Sequence, residues 1–250
     1  MDVEIKRDGL TLRGTFTKPK ADKFDLVILM HGFTSDRGMD PDQLLYQLAE
    51  KFAQNGLATL RFDFNGHGQS DGKFEDMTVL NEIGDGKAIL DYARNIDGVG
   101  KIYLLGHSQG GVVASMIAGY YHEQIAKLVL LAPAATLKDD ALKGSTQGYT
   151  YDPQNIPDKL AIKKGLTLGG FYLRTAQTLP IYEVASQYRG PVCLIHGLKD
   201  TVVDKIASQR YDDCYLNCQL HLLDDADHGF TLGNSRTEAL DLAIKFILNE

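Results

Sequence analysis

The sequence contains no long apolar run and few cysteines. No stretch of its 250 residues approaches the ~20 apolar residues of a membrane span, and the N-terminus has no basic start followed by an apolar segment. We therefore expect a soluble, cytoplasmic protein. Cys193 lies in a strand-like run, and Cys214 and Cys218 lie four positions apart on a predicted helix. Because this spacing is not that of a C-x-x-C pair, all three are interpreted as free thiols.

Positive charge is also scarce. The 26 Lys and Arg residues against 33 Asp and Glu residues give a formal net charge of −7, and the basic residues form no cluster. This argues against nucleic acids and anionic membranes as partners, because both bind a concentrated positive surface. No dinucleotide-binding fingerprint follows a predicted strand, and we expect no cofactor and no metal. The expected partner is a neutral small molecule, and a homodimer remains open.

One short stretch organises the chain. The strand-like residues 101–105 lead into Gly106-His107-Ser108-Gln109-Gly110, and a run of small and apolar residues follows at 111–118. A G-x-S-x-G motif between a buried strand and a helix is typical of a nucleophile elbow, where flanking glycines make room for a sharp turn. Ser108 is the predicted nucleophile, and the Gln109 amide is a predicted oxyanion donor. The similar spelling at 144–148 lacks both flanking elements and is interpreted as a loop.

Strand-like and helical segments alternate along the chain. We predict strands at 2–7, 10–17, 25–30, 57–62, 101–106, 127–133, 191–196 and 219–223, and helices near 41–54, 77–96, 109–118, 204–216 and 235–248. This alternation predicts an α/β protein with a mostly parallel eight-stranded sheet and helices on both faces. The interval 134–189 is too long for an ordinary loop and contains no convincing central strand. It is therefore predicted to be an inserted cap on a core formed by 1–133 and 190–250.

A serine hydroxyl needs a base to remove its proton, and a histidine oriented by a carboxylate is the usual one. After a G-x-S-x-G elbow the chain order is serine, acid, histidine, with the last two on loops after late strands. Among seven histidines, these filters leave His228. Asp200, which follows the seventh predicted strand, ranks first as the acid. Asp204 is the alternative, although its position also suits a helix cap, and Asp227 ranks third because adjacent residues seldom face each other.

The chain resembles the α/β-hydrolases and, more narrowly, the bacterial cinnamoyl (feruloyl) esterases of gut and lactic acid bacteria. The resemblance rests on blocks that span both the core and the insertion. They are HGFTSDR at 31–37, RFDFNGHGQSDGKFEDMTVLNEI at 61–83, GHSQGGVVASM at 106–116, LLAPAATLKDDAL at 130–142 and LTLGGFYLRTAQTLPIYEV at 166–184.

This resemblance implies an α/β-hydrolase fold and hydrolysis of hydroxycinnamic acid esters such as those of ferulate, caffeate, p-coumarate and chlorogenate. It implies the roles of nucleophile, base and orienting acid for Ser108, His228 and Asp200. The amides of Phe33 and Gln109 are the implied oxyanion donors. Phe33 lies in the loop that follows the predicted strand 25–30, where the second donor of an oxyanion hole is expected. The implied contacts to the phenolic end of the substrate are Asp140, Gln147 and Tyr172.

Other functions fit the same elbow. A monoacylglycerol or lysophospholipid lipase is the nearest alternative, but residues 134–148 are too charged for the exposed amphipathic helix of an interfacial lid. A general short-chain esterase or a small-peptide hydrolase would use the same catalytic residues. A receptor that binds a ligand without turnover is the alternative from another class, and intact candidates for every catalytic role argue against it.

Overall fold

Eight strands form one main sheet in the structure, which is a computed structural model that describes residues 1–249. The strands are β1 (Asp2–Arg7), β2 (Leu10–Thr17), β3 (Phe24–Met30), β4 (Ala58–Phe62), β5 (Val99–His107), β6 (Lys127–Leu131), β11 (Val192–Gly197) and β12 (Cys218–Leu223). Their order is β1-β2-β4-β3-β5-β6-β11-β12, and every pair from β4 to β12 is parallel. Only β2 pairs antiparallel with its neighbours. The prediction of a mostly parallel eight-stranded sheet is confirmed.

Helices cover both faces of the sheet. Within residues 1–249 they are α1 (Leu44–Gln54), α2 (Val79–Arg94), α3 (Gln109–Tyr120), α4 (Leu137–Leu142), α5 (Gly170–Ala176), α6 (Ile181–Ala185), α7 (Ile206–Cys214) and α8 (Ser235–Leu248). Alternate residues of β3 belong to different cores. Leu26 and Ile28 pack with α2, α3 and α7, whereas Val27 and Leu29 pack with α1 and α8. Both faces of this strand are buried, which explains its continuous apolar sequence.

Some local predictions were wrong. Helix α1 begins at Leu44 rather than near Pro41, because the amide of Gln43 bonds the carbonyl of Asp40 in a turn that precedes the helix. The two cysteines expected on one helix lie on different elements. Cys214 ends α7 and Cys218 begins β12, since the chain becomes extended at Tyr215. The stretch 144–148, expected to be a loop, contains a two-residue strand.

Residues 134–189, the segment predicted to be a cap and called the insertion below, contain three short α-helices and two small hairpins. The helices are α4, α5 and α6, and the hairpins are β7 (Ser145–Thr146) with β8 (Tyr149–Thr150) and β9 (Lys159–Ala161) with β10 (Thr167–Gly169). Neither hairpin joins the main sheet. Helix α6 lies so close to α3 that a Cβ atom at Gly119 would stand 2.1 Å from the carbonyl oxygen of Val184. The insertion is therefore packed against the helix that follows the elbow.

None of the helices in the described part of the chain is long and apolar enough to cross a membrane.

Candidate active site

Ser108 occupies a strained turn between β5 and α3. Its backbone has φ 56° and ψ −123°, and only 4% of the residue is exposed. A Cβ atom at Gly106 would lie 2.2 Å from the carbonyl oxygen of Gly110, and one at Gly110 would lie 2.4 Å from that of Met30. The two glycines are therefore required for the sharp turn. Strain of this kind is typical of functional sites and persists because the surrounding structure imposes it.

The structure brings Ser108, His228 and Asp200 together. The Nε2 atom of His228 lies 3.0 Å from Oγ of Ser108, and its Nδ1 atom lies 2.7 Å from Oδ2 of Asp200. An ionised carboxylate only accepts hydrogen bonds, so the ring proton is on Nδ1 and Nε2 is the acceptor for the serine proton. The arrangement can generate a serine nucleophile.

Asp200 is held from four directions. Its Oδ1 atom accepts hydrogen bonds from the amides of Val202 and Val203 at 2.8 and 2.9 Å. Its Oδ2 atom accepts one from His228 and lies 3.3 Å from Nε2 of the buried His196. Burial alone would raise the pKa of Asp200, but the hydrogen bonds from His196 and His228 outweigh this effect and hold the pKa well below its usual range. Asp200 is therefore anionic at neutral pH.

The other two candidate acids have different contacts. Asp204 accepts a hydrogen bond from the amide of Ile206 at 2.9 Å, at the start of α7, as a helix cap does. Asp227 accepts a hydrogen bond from the hydroxyl of Thr231 at 2.6 Å. Of the three, Asp200 is the one that meets His228.

Three supporting residues were missed by the sequence reasoning. His107 lies 2.9 Å from the carbonyl oxygen of His228 through its Nε2 atom, and Arg236 donates to the carbonyl of Gly229 at 2.8 Å. His196 supports Asp200 from the protein interior, since its Nε2 atom lies 3.3 Å from Oδ2 of Asp200. The rule of chain order identifies only the base, so it excludes His107 and His196 from the predicted site. No spacing in the sequence indicated that they hold the catalytic loops.

The predicted oxyanion loop, His31-Gly32-Phe33, lies against the nucleophile. A Cβ atom at Gly32 would stand 2.9 Å from Cβ of Ser108, so this backbone approaches the serine as closely as it can. His31 fixes the loop from below, since its Nε2 atom accepts a hydrogen bond from the amide of Phe64 at 3.0 Å. Gln109, the first residue of α3, has an amide with no earlier helical turn to bond. Gln109 thus follows Ser108 directly, and Phe33 follows the glycine that lies against Ser108.

A buried ion pair anchors the far end of the oxyanion loop. Arg37 and Asp63 form a salt bridge with side chains 2% and 0% exposed, and the amide of Arg37 also donates to Asp63 at 2.7 Å. The other end of this network is Gln69, whose side-chain oxygen accepts from Arg37 at 2.7 Å. The loop after β3 is therefore tied to the loop after β4. In the sequence, the corresponding feature is the stretch 63–72, which contains three glycines and is typical of a long loop.

The three residues implied for the phenolic end of a substrate line one cavity. Its volume is about 190 Å³, and its walls are Gln109, Ala134, Thr136, Leu137, Asp140, Ser145, Thr146, Gln147, Gly148, Tyr172, Val202 and Val203. Burial raises the pKa of Asp140 above its ordinary value. The cavity adjoins a larger polar groove of about 530 Å³ that shares Thr136, Asp140 and Val202 and reaches Asp200. The space beside the elbow therefore has a small inner part and a wider outer part.

Tyr172 connects the insertion to the elbow. The residue is 4% exposed, and its hydroxyl donates to Oε1 of Gln109 at 2.7 Å. The Nε2 atom of Gln109 in turn donates to Oε2 of the buried Glu82 at 2.8 Å. The rings of Tyr172 and Phe33 lie 5.7 Å apart. Glu82 was not identified from the sequence, where a single acidic residue in a helix is usually a solvated charge.

Two family models match more than half of the chain each. One is described as serine aminopeptidase S33 and matches residues 21–152, and the other is described as serine hydrolase FSH1 and matches residues 87–229. Both matches include the elbow.

Similar proteins were also found among solved structures and curated sequences. A structure of Est1E from Butyrivibrio proteoclasticus with ferulic acid bound is 34% identical and has a TM-score of 0.92, with 99% of this chain and 100% of that chain covered. Human monoacylglycerol lipase ABHD6 is 23% identical over 88% of this chain and 74% of its own length. An uncharacterized 31.7 kDa protein of Escherichia coli is 33% identical over 42% of this chain. That match spans only 35% of the length of the Escherichia coli protein.

Proposed function

We propose that this chain, which belongs to the α/β-hydrolase superfamily and to its cinnamoyl esterase-type family of serine carboxylic ester hydrolases, hydrolyses esters of hydroxycinnamic acids. The observation that carries the proposal is the cavity beside the elbow, where Asp140, Gln147 and Tyr172 meet Gln109. The ferulic acid bound by Est1E, a relative that covers nearly the whole chain, supports the same substrate class. In this proposal residues 134–189 are the cap, and residues 1–133 and 190–250 are the catalytic core.

Acylation begins when Ser108 attacks the ester carbonyl. His228 accepts the hydroxyl proton at Nε2, and Asp200 stabilises the imidazolium through the hydrogen bond at Nδ1. The negative charge that develops on the carbonyl oxygen is stabilised by the amides of Gln109 and Phe33. The tetrahedral intermediate then expels the alcohol, which takes the proton from His228, and leaves a hydroxycinnamoyl ester on Ser108.

Deacylation repeats these steps with water. His228 removes a proton from a water molecule, which attacks the acyl carbonyl. The same two amides stabilise the negative charge that develops on the carbonyl oxygen. The intermediate collapses, Ser108 recovers its proton from His228, and the hydroxycinnamic acid leaves. Every proton moves between Ser108, His228, water and the alcohol, so the reaction needs no further reagent.

The lining of the cavity favours a phenolic acyl group over an alkyl chain. A volume of about 190 Å³ is of the same order as the ~150 Å³ cavity that accommodates benzene in another protein. An alkyl chain in this cavity would bury Asp140, Gln147 and Tyr172 without new partners, which costs free energy. A ring hydroxyl would provide one. The alternative is a lipase, which the similarity to monoacylglycerol lipase ABHD6 favours.

A substrate panel tests the proposal. We expect the highest kcat/KM on methyl ferulate, caffeate and p-coumarate, lower values on methyl cinnamate, and a decline along p-nitrophenyl esters of increasing chain length. Monoacylglycerol and alanine p-nitroanilide represent the lipase and the peptidase. Ser108→Ala is the control that shows turnover to depend on the elbow. A preference for monoacylglycerol or long-chain esters over every hydroxycinnamate would overturn the proposed function, and so would turnover limited to a few cycles.

A further inference from the structure

A buried carboxylate outside the catalytic residues touches the site. Glu82 lies in the first turn of α2, is 1% exposed and accepts the hydrogen bond from the Gln109 carboxamide. Burial raises its pKa well above the ordinary value. The mechanism gives Glu82 no proton to carry, yet it is the terminal acceptor of a chain of hydrogen bonds that reaches the acyl cavity through Gln109 and Tyr172.

The orientation of the Gln109 carboxamide sets the direction of this chain. Its Nε2 atom donates to Oε2 of Glu82 at 2.8 Å, and its Oε1 atom faces Tyr172. The Glu82 carboxyl group has an acceptor oxygen in either protonation state. The hydroxyl of Tyr172 donates its only proton to that oxygen at 2.7 Å. Tyr172 then has only oxygen lone pairs to offer to the cavity. Thr146 also lines this cavity, and its hydroxyl can donate or accept because it can rotate its proton, so it imposes no direction.

We infer that Glu82 is a positioning residue that makes Tyr172 a hydrogen-bond acceptor toward the cavity, so that the site selects acyl rings with a free hydroxyl where they meet Tyr172. The inference rests on the proposed function, because it specifies which ring substituent that function recognises. A methoxy group at the same place would set one acceptor against another and could not donate to the Tyr172 oxygen. Selection by hydrogen-bond direction thus begins at a residue that never contacts the substrate.

Two substitutions at Glu82 separate direction from shape. Met in Glu82→Met has a similar length but no acceptor, so the Gln109 carboxamide is free to turn and present its amino group to Tyr172. Gln in Glu82→Gln keeps an oxygen that can accept from Gln109. The measured quantity is kcat/KM on methyl p-coumarate divided by kcat/KM on methyl p-methoxycinnamate. We expect this ratio to be about tenfold or more in the wild type, to approach one in Glu82→Met and to be retained in Glu82→Gln.

A second pair of variants tests whether Glu82 acts through the proposed chain. Adding Glu82→Met to Tyr172→Phe should leave the ratio unchanged from that of Tyr172→Phe alone, because the two substitutions interrupt one path. If Glu82→Met does not fold, Gln109→Met removes the same connection and should lower the ratio equally. A merely structural role would reduce both rates together. A ratio unaffected by Glu82→Met, or lowered equally by Glu82→Gln, would overturn the inference.

Binding measurements distinguish this inference from the proposed function. In the Ser108→Ala background, calorimetry with p-coumaric acid and p-methoxycinnamic acid gives the same preference without turnover. A wild-type enzyme that fails to hydrolyse methyl p-coumarate overturns the proposed function. The role of Glu82 is tested separately. It is supported if the Ser108→Ala variant binds p-coumaric acid more tightly than p-methoxycinnamic acid and loses this preference when Glu82→Met is added, even if the enzyme does not hydrolyse methyl p-coumarate. Equal binding of both acids overturns that role whatever the turnover.

Discussion

Replacing Asp200 by Asn tests the geometry of the site most directly, because the substitution changes one hydrogen-bonding group and almost no volume. The two carboxylate oxygens of Asp200 have different partners. One accepts from the amides of Val202 and Val203, and the other accepts from His228 and lies near His196. An Asn side chain must place its oxygen on one side and its amino group on the other.

The backbone decides which orientation Asn adopts. With the amino group toward Val202 and Val203, two backbone donors would face another donor, at about 1–3 kcal/mol for each unpaired group. The oxygen therefore stays on the backbone side and the amino group faces His228. The His228 ring must then carry its proton on Nε2, the atom that faces Ser108, and cannot accept the serine proton. A wrong tautomer of this kind costs about 10⁴ in kcat, or roughly 5 kcal/mol in the activation free energy.

The assay is kcat on p-nitrophenyl acetate, whose small acyl group needs no contact with residues 134–189. Asp204→Asn is the matched control, since Asp204 accepts a hydrogen bond from the first amide of α7 and has no hydrogen bond to His228. We expect it to retain turnover within a few-fold of wild type. Thermal unfolding of both variants shows whether the fold is kept. If Asp200→Asn keeps kcat within tenfold of wild type, or if Asp204→Asn loses as much, the assignment of the acid is wrong.

Three further predictions concern the base, the cap and acid stability. Ser108→Ala and His228→Ala should each lower kcat by several orders of magnitude, with little further loss when combined, because the residues act as one unit; additive losses in the double variant would contradict this. Asp140→Ala should weaken kcat/KM for methyl p-coumarate by ~1–3 kcal/mol and leave p-nitrophenyl acetate nearly unchanged, whereas equal losses on both would remove Asp140 from recognition. Desolvation lowers the pKa of His31, His67 and His107 to about 4, 3 and 3. Below the ordinary histidine pKa of ~6.5 the unfolded chain therefore binds protons that the folded chain does not, and the free energy of unfolding should fall as the pH decreases toward about 3. Denaturant titrations at pH 7 and 5 measure this decline, and His67→Gln should reduce it by roughly 2 kcal/mol; an unchanged decline would show that His67 is not the group involved.

The sheet and the elbow were predictable because their constraints are local. A strand buried on both faces must be continuously apolar, as 25–30 is, and a turn as sharp as that at Ser108 must have glycine where a Cβ atom would strike the backbone. The order of serine, acid and histidine then left few candidates. The structure brings Ser108, Asp200 and His228 together as that order predicts.

The supporting contacts were not predictable, because they join residues far apart in the sequence. Arg37 meets Asp63, and His107 meets the loop of His228 across 121 positions. Residue type alone does not distinguish a buried charged side chain from a solvated one. Glu82 is an example, since it is 1% exposed and accepts a hydrogen bond from Gln109, 27 positions away on α3. Predicting such a role requires knowing which residues pack against the side chain, and the sequence does not contain this information.

In the proposed function, Tyr172 would serve both recognition of the acyl ring and stabilisation of the oxyanion. Its ring packs against the ring of Phe33, and its hydroxyl donates a hydrogen bond to the side chain of Gln109. The amides of these two residues are the proposed oxyanion donors. We therefore expect binding energy from the substrate ring, which does not react, to improve the alignment of these amides in the transition state. Such an effect would raise kcat instead of only lowering KM.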